Sequence, residues 1–276
     1  MKTTPLTLPN GFVGPGGLII REITIRKLNG DDEDMLRDKD NLRQGNVLDK
    51  LMKRVIVQMG DMDDPAVTAD LYDKKFLMSD LTFVLVQLRI WSLNPIYRFD
   101  YNCPKCGKIG RHSVDLSELR VDEQKEEYRG LDEYSTEVDE YNVIFRPLYV
   151  RDGKLLESIK TQYKKEKGTR ELLLQIVSVN GAKAHPELLK KMDWDSRNKL
   201  RQEFDKVSGG IDNVLEMECA FCESVFKDNL PVHMRDFFFP VADTSPCQTA
   251  RPFQDSGTTS LSSPSGGDGA PSPSVG

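Results

Sequence analysis

Apolar and polar positions alternate with a period of two near the start of the chain. Within residues 18–28, Ile23 and Ile25 alternate with the polar Thr24 and Arg26. This period is typical of a strand with one buried and one exposed face. The acidic run 31–34 follows the strand, and its carboxylates suit the first turn of a helix, where they meet the positive end of the helix dipole.

The period changes to three and four residues farther along, which predicts helices. Apolar residues recur in this way over residues 47–59 and predict one amphipathic helix with a continuous apolar face. A nearly unbroken apolar run from Asp80 to Ser92 predicts a buried helix that ends before Asn94-Pro95. This helix leads directly into the first cysteine pair.

Both ends of the chain lack such periods. Residues 1–17 are rich in proline and glycine and predict an irregular, extended arm, either disordered or laid along a partner. Residues 241–276 consist largely of Ser, Pro, Gly and Thr and predict a disordered tail. Three consecutive phenylalanines, Phe237 to Phe239, precede the tail and must be buried, either in the core or against another protein.

Residues 119–211 predict an insertion, mostly helical. It opens with an acidic linker, contains a strand over residues 141–146, and continues with helices separated by the turn Asn180-Gly181. Its basic cluster near Lys164 is typical of a solvated helix end. It offers no nucleophile with a base, no carboxylate pair with a clear task and no phosphate-binding glycine loop.

Two cysteine pairs carry the candidate chemistry. Cys103 and Cys106 form one Cys-x-x-Cys pair, and Cys219 and Cys222 form the other. This spacing allows two thiolates in a tight turn to bind one metal ion, and four thiolates complete a tetrahedral zinc site. Strand-like residues flank both pairs, which predicts a zinc ribbon split by the insertion. Four cysteines leave no open coordination position, so the zinc ion, one per chain, is expected to be structural.

The distance between the pairs leaves alternatives open. A compact ribbon has its second pair about fifteen to twenty residues after the first. A redox pair, a disulfide or ordinary buried cysteines could also explain the residues. His112 and His233 lie near the pairs and could replace a thiolate, although the four cysteines are favoured. Cys247 is expected to be a free surface thiol.

Composition narrows the possible partners. The net charge of −6 argues against a surface dedicated to nucleic acid. No apolar run is long enough to span a bilayer, and the N-terminus lacks a signal-peptide core. Paired metal-binding thiols indicate a reducing cytoplasm. No feature points to a small-molecule substrate.

Several stretches resemble the baseplate proteins of T4-like contractile-tailed phages and related contractile injection systems. They are residues 21–33 after a Pro/Gly arm, residues 85–89 before Tyr97 and the first cysteine pair, and the second pair followed by Phe238-Phe239-Pro240. The resemblance spans most of residues 10–240. It implies a hub or baseplate-assembly component without enzymatic activity, formed in the bacterial cytoplasm and carried in the virion tail, with other baseplate, hub or tail-assembly proteins as partners.

The sequence therefore predicts an α+β fold, mainly helical, with a structural zinc site in a baseplate component. An alternative is a zinc-ribbon protein that binds nucleic acid or has a regulatory role. A metalloenzyme would need an open coordination position on the metal, which four cysteines do not leave. The predicted divisions are an extended arm 1–17, a strand and helical domain 18–96, a split zinc ribbon 97–118 and 212–240, an insertion 119–211, and a disordered tail 241–276.

Overall fold

A computed structural model describes residues 2–232, 237–239, 248–249 and 251–252. Within these residues the fold is mixed α/β, with helices and mostly antiparallel sheets interleaved along the chain. The prediction of a mainly helical fold built around a split zinc ribbon is therefore wrong. The two cysteine hairpins lie in two separate three-stranded sheets of a larger α/β fold.

The helices occur in two groups that precede the two cysteine hairpins. In the described residues they are α1 Gly30–Arg37, α2 Lys39–Gln44, α3 Val47–Val55, α4 Pro65–Lys75, α5 Met78–Ser92, α6 Gly153–Gln162, α7 Lys167–Gln175, α8 Pro186–Lys191 and α9 Trp194–Val207.

Over the part of the chain that the structure describes, the strands form five small sheets. Those of the described residues are β1 Thr3–Val13, β2 Ile19–Arg26, β3 Ile56–Met59, β4 Ile96–Asn102, β5 Ile109–Asp115, β6 Val121–Asp122, β7 Tyr134–Val138, β8 Tyr141–Phe145, β9 Ile176–Val179, β10 Ala182–Lys183, β11 Gly210–Ile211, β12 Val214–Glu218, β13 Val225–Asn229, β14 Gln248–Thr249 and β15 Arg251–Pro252. Their orders are β1-β2-β3, β10-β9-β8-β7, β11-β6, β13-β12-β15 and β14-β5-β4.

The Pro/Gly-rich N-terminus is a strand rather than an irregular arm. β1 pairs with β2 at one edge of its sheet, where a proline does not interrupt the pairing of a central strand. Gly11 (φ +78°) falls where the register shifts, and a Cβ there would lie 2.5 Å from the carbonyl oxygen of Ile20. Only glycine fits this close approach.

A buried carboxylate fixes β1 to α5. The Oδ1 atom of Asp80 accepts hydrogen bonds from the backbone N–H of Asn10 (3.1 Å) and from its side-chain amide (2.8 Å). The Asn10 amide oxygen accepts a bond of 2.6 Å from the N–H of Gly209. Burial raises the pKa of Asp80 to about 6 despite these bonds. The network joins the N-terminus, α5 and the end of α9.

The apolar run predicted as a single helix is a helix followed by a strand, and a second apolar run has the same form. The run 47–59 contains α3 and then β3, and the run 169–179 contains most of α7 and then β9. Short apolar runs fit either state by periodicity alone. Ile56 and Ile176 begin the strands, and pairing with β2 and β8 decides the outcome. The buried helix predicted for residues 80–92 is confirmed as α5.

The described residues form two main hydrophobic cores. The larger one joins the sheet β1-β2-β3 to α3, α4 and α5 and includes Leu215 and Met217 of β12. The second lies within residues 134–207 and is built from β7, β8 and β9 against α7, α8 and α9. A third, small cluster contains Tyr101, Cys103 and Cys219.

Four described residues fall in the range predicted as a disordered tail. Gln248 and Thr249 (β14) pair in parallel with β5, and Arg251 and Pro252 (β15) pair with β12. The rest of that range, including Cys247, lies outside the described residues. Across the described residues, none of the helices combines the length and apolar character that crossing a membrane requires.

Candidate metal centre

Each cysteine pair occupies the tip of a β-hairpin. In the first hairpin, β4–β5, the N–H of Cys103 donates to the carbonyl of Lys108 (3.0 Å), and the N–H of Gly107 donates to the carbonyl of Cys103 (2.9 Å). Gly107 has φ +69°, a left-handed conformation that glycine adopts without steric cost. The tip is thus a tight turn that directs both thiols to one side.

The second hairpin, β12–β13, has the same turn. The N–H of Cys219 donates to the carbonyl of Ser224 (3.0 Å), and the N–H of Glu223 donates to the carbonyl of Cys219 (2.9 Å). Glu223 has φ +56° and occupies the position that Gly107 occupies in the first tip. The same backbone is therefore formed here at the expense of steric strain.

The four thiols converge. Their sulfur atoms all lie within 4.8 Å of one another, although the two pairs are more than a hundred residues apart. The Sγ atoms of Cys103 and Cys222 are 3.7 Å apart, and so are those of Cys106 and Cys219. Cys103 and Cys219 are buried, whereas Cys106 is exposed. The sequence-predicted ligands thus form one cluster at the surface.

Hydrogen bonds and crowding set the thiol protonation. The backbone N–H of Cys106 donates to the Cys103 sulfur, and this bond is the main cause that lowers the pKa of Cys103 to about 6. A backbone bond from Lys108 favours the Cys106 thiolate, but partial desolvation by the hairpin tips and the three neighbouring thiols outweigh it and raise the pKa of Cys106 to about 11. Four thiolates this close repel one another unless a cation neutralises them.

The geometry fits a tetrahedral thiolate-bound ion such as zinc. Four sulfurs held about 2.3 Å from one ion at tetrahedral angles lie about 3.8 Å from one another. Two of the cross-hairpin distances are 3.7 Å. A disulfide, whose sulfurs lie about 2.05 Å apart, joins none of these four cysteines. The donor set therefore suits a soft or borderline metal ion.

Aromatic side chains pack beside the thiol cluster on the side of the protein interior. The Tyr101 hydroxyl accepts a hydrogen bond of 2.9 Å from the N–H of Ala220, which ties the first hairpin to the second tip. The Tyr101 ring stacks on His112 with 4.4 Å between centroids, and His112 is fully buried. His112 therefore belongs to this packing and not to the group of ligand atoms. His233 lies outside the described residues.

Ser224 is a neighbour of the cluster that sequence reasoning missed. Its Oγ lies 3.1 Å from the Cys222 sulfur and 3.6 Å from the Cys103 sulfur. A hydroxyl at these distances can donate to a thiolate. Its position two residues after the second cysteine was the available signal, since side chains next to a metal turn commonly donate to the ligands.

The consecutive phenylalanines pack mainly inside the protein. Phe237 and Phe238 are 0% and 4% exposed, and the Phe237 ring meets Tyr97 at 5.0 Å between centroids. Phe239 is half-buried with the Arg37 guanidinium 4.4 Å from its ring centroid. Of the two alternatives from the sequence, burial in the core holds for Phe237 and Phe238.

The fold and the site together define a structural class: a small α/β protein in which two distant hairpins meet at a four-thiol cluster that could hold a metal ion. The family model described as "T4 bacteriophage base plate protein" matches residues 6–238. The chain belongs to this family, which confirms the resemblance seen in the sequence. Among curated proteins and among solved structures, none matches the chain.

Proposed function

We propose that this protein is a non-enzymatic component of a contractile-tail baseplate, in or next to the hub, and that a structural zinc ion holds its two hairpins together. Membership of the base plate family supports the baseplate role. The observation that carries the zinc site is the convergence of four thiols within 4.8 Å of one another.

In this proposal Cys103, Cys106, Cys219 and Cys222 bind one zinc ion per chain. When bound, zinc supplies a fixed tetrahedral link and no reactive position, because four thiolates complete its coordination. The side chains around it restrict movement of the hairpins: Tyr101 anchors the second tip, and Ser224 donates towards the sulfurs. The division at the hairpins leaves residues 119–211 as an inserted module with its own core.

The partners in this proposal are other baseplate, hub or tail-assembly proteins. Assembly takes place in the cytoplasm of the bacterial host, where reduced thiols can take up zinc. The net charge of −6 gives no support to a nucleic-acid surface.

Elemental mass spectrometry of the purified full-length protein tests the metal site. We expect about one zinc ion per chain, as four thiolates form one closed site. A variant with Cys219→Ser and Cys222→Ser is expected to lose it, because both hairpins must contribute. A Cys247→Ser variant is the matched control and should keep its zinc. Retention of zinc by the double variant would reject a shared site.

The baseplate role has its own test. Tails purified from a host cell that carries a tagged copy of this chain should contain it in a fixed ratio to other baseplate proteins, as measured by quantitative mass spectrometry. Absence of the chain both from finished tails and from assembly intermediates would reject the role, whatever the metal content.

A further inference from the structure

The chain contains one structural unit twice. The first unit comprises residues 3–115 and runs from β1 through α1–α5 to the hairpin β4–β5. The second unit comprises residues 134–229 and runs from β7 through α6–α9 to the hairpin β12–β13. Each unit begins with an antiparallel strand pair, continues with helices around a third strand, and ends with a Cys-x-x-Cys hairpin.

The two units correspond position by position. α3 and β3 recur as α7 and β9 at a constant spacing of 120 residues, as Ile56 and Ile176 show. Both sheets have a register shift at the same place. The last helices and hairpins correspond at a spacing of 116 residues, as Cys103 and Cys219 show. A residue of one unit can therefore be compared with its counterpart in the other.

An ion pair is also repeated. Arg26 binds both carboxylate oxygens of Asp32, and Arg146 binds both of Asp152. In each unit the aspartate also accepts a bond of 3.0 Å from the backbone N–H three residues before it. The repeat thus extends to individual side-chain contacts.

A buried side chain of the first unit, Asn10 in β1, binds the second unit directly. Its amide oxygen accepts a hydrogen bond of 2.6 Å from the N–H of Gly209, and its amide nitrogen donates one of 3.1 Å to the carbonyl of the same glycine. Asn10 is 1% exposed. One amide therefore binds both backbone groups of Gly209, as a neighbouring strand does in a hydrogen-bonded antiparallel pair.

Asp80, in the first turn of α5, fixes the orientation of Asn10. Its Oδ1 atom accepts bonds from the Asn10 amide nitrogen (2.8 Å) and backbone N–H (3.1 Å), and its Oδ2 atom accepts one of 3.0 Å from the N–H of Gly11. Asp80 is fully buried. We call Asn10, Asp80 and Gly209 the latch, because together they join the first unit to the second.

The linker between the units encloses the latch. A Cβ at Gly209 would lie 2.5 Å from the backbone nitrogen of Gln124 and 2.7 Å from the carbonyl oxygen of Asp122, so only glycine fits. Gln124 donates from its side chain to the carbonyl of Val207 (2.8 Å) and from its backbone N–H to the carbonyl of Pro9 (3.0 Å). The linker therefore holds the same two segments together that the latch joins.

Both cysteine hairpins are attached closely to the latch. α5, which begins beside Asp80, is separated from β4 only by residues 93–95. Gly209 is separated from β12 only by residues 210–213, and two of these form β11, which pairs with β6. Short and paired connections leave the hairpins little freedom of their own. The position of one hairpin relative to the other therefore depends on the geometry of the latch.

The second unit uses the corresponding position for a contact within itself. The counterpart of Asp80 is Ser196, which is also fully buried in the first turn of its helix. Its hydroxyl lies 2.7 Å from carboxylate oxygens of Asp139 and Asp193, both in the second unit. The position thus contributes a buried polar contact in both units, and only in the first does this contact lead to the other unit.

Asn10 also lies in a part of the β1–β2 hairpin that the second unit lacks. In the first unit, residues 8–21 follow the strand pairing that ends at Thr7 and Glu22 before the register shift. Only residues 138–141 occupy this place in the second unit. The second unit forms its own core without the extra length. The longer hairpin therefore serves the junction between the units rather than the unit itself.

We infer that the latch positions the second hairpin against the first and thereby sets the affinity of the four-thiol cluster for its metal ion. Ligand distances at a metal site vary by only about 0.2 Å. The sulfur contacts of 3.7 Å both run between the hairpins, so any rotation of one unit on the other disturbs them. Asn10 and Asp80 are thus positioning residues without contact to the metal. The inference rests on the proposed zinc site.

Competition with a chromophoric chelator measures the zinc affinity of the full-length protein. Asn10→Ala removes both bonds to Gly209 and is expected to weaken zinc binding about tenfold, because buried polar groups left unpaired destabilise the joined arrangement by about that factor. Ser196→Ala is the matched control. It also removes a buried polar contact at the start of the corresponding helix, but one within a single unit, so it should leave zinc affinity unchanged.

Urea unfolding of the zinc-free variants is the second measurement. A purely structural role would lower stability in both variants without lowering the zinc affinity of the folded protein. Asn10→Ser replaces Asn10→Ala if that variant fails to fold, since a serine hydroxyl can still donate to Asp80 but cannot bind both groups of Gly209.

Weaker zinc binding in the Asn10 variant, with unchanged binding in Ser196→Ala, supports the latch. Wild-type zinc affinity in the Asn10 variant, or an equal loss in Ser196→Ala, overturns it and leaves the metal site standing. A wild-type protein that binds no zinc rejects the metal site and the latch together.

Discussion

At the scale of single residues, the backbone after each second cysteine shapes the thiol cluster. Gly107 and Glu223 both have positive φ, and only the first is a glycine. A Cβ at Gly107 would meet no atom within 4 Å, so backbone strain alone opposes a side chain there. A comparison of positions 107 and 223 therefore measures the free-energy cost of placing a side chain on a left-handed backbone, because the two turns otherwise match.

We expect Gly107→Ala to lower the free energy of unfolding by about 1 kcal/mol, the cost of a left-handed alanine. Glu223→Gly should raise it by up to about 1 kcal/mol, because relief of strain exceeds the added entropy of the unfolded chain. Urea unfolding with saturating zinc measures both. A loss of stability in Glu223→Gly as large as that in Gly107→Ala would show that the Glu223 side chain itself stabilises the fold.

The four cysteines could be predicted from the sequence because two thiols three positions apart in a turn are a local metal-binding pattern. The side chains that surround the cysteines could not be predicted in this way. Tyr101 reaches Ala220 and Ser224 reaches Cys103 only through the fold, over more than a hundred residues of chain. His112 was a reasonable ligand candidate by position, but strand pairing turns it towards the Tyr101 ring.

At the scale of elements, a buried ion pair determines how β2 leads into α1. Asp32 is fully buried, caps α1 through the N–H of Asn29, and binds Arg26 with Nη2–Oδ1 at 2.7 Å. Burial alone would raise the pKa of Asp32, but the hydrogen bonds from Arg26 and Asn29 outweigh it and lower the pKa. The carboxylate therefore stays charged inside the fold.

Asp32→Asn should lower the free energy of unfolding by about 3 to 5 kcal/mol, since it leaves the Arg26 charge buried without its partner. Because the folded pKa of Asp32 is lowered, its contribution is present above the unfolded value near 4 and is lost as pH falls through the folded value. Wild-type stability should thus fall in acid more steeply than that of the variant. Chemical unfolding from about pH 7 to pH 3 measures this slope.

Glu33→Gln is the control for that experiment. Glu33 pairs with Arg37 on the exposed side of the same helix, and such pairs contribute only about 0.2 to 0.5 kcal/mol. If both substitutions had similar effects, burial of the Arg26–Asp32 pair would not be the source of the stability.

The elements show where hydrophobic periodicity does and does not predict secondary structure. The α3–β3 and α7–β9 runs keep one apolar face through a change from helix to strand, so periodicity alone cannot place the boundary. Pro5 and Pro9 argued against a strand at β1, but they are tolerated because β1 lies at the edge of its sheet and pairs there with β2 alone. In contrast, α5 is long and apolar on nearly all sides, and its sequence alone was sufficient to predict a buried helix.

At the scale of the whole molecule, the two units explain the large distance between the cysteine pairs. The repeat could not be recognised from the sequence, because few residues are identical at corresponding positions. Arg26 with Arg146 and Asp32 with Asp152 are among those that match. The backbone register and the ion pairs preserve the unit, whereas most other positions need only remain apolar or polar. The second unit also has its own core, separate from the larger one.

Removal of the metal should therefore affect the molecule unevenly. Binding of structural zinc contributes about 10 kcal/mol or more to the folding of the residues that it links. With a chelator, we expect amide hydrogen exchange to accelerate in residues 96–115 and 214–229, while residues 134–207 stay protected by their own core. Hydrogen exchange with mass spectrometry measures each segment. Equal acceleration throughout the chain would mean that the cores depend on the ion.

The crosswise contacts of the thiols have a geometric consequence. When the two hairpins are exchanged, the Cys103–Cys222 contact becomes the Cys219–Cys106 contact, and both are 3.7 Å. An ion bound there would lie on a local twofold axis that relates the hairpin tips. The chain is in this respect a symmetric pair of hairpins joined by a peptide linker, so one polypeptide supplies both halves of a site that would otherwise need two copies of a Cys-x-x-Cys hairpin.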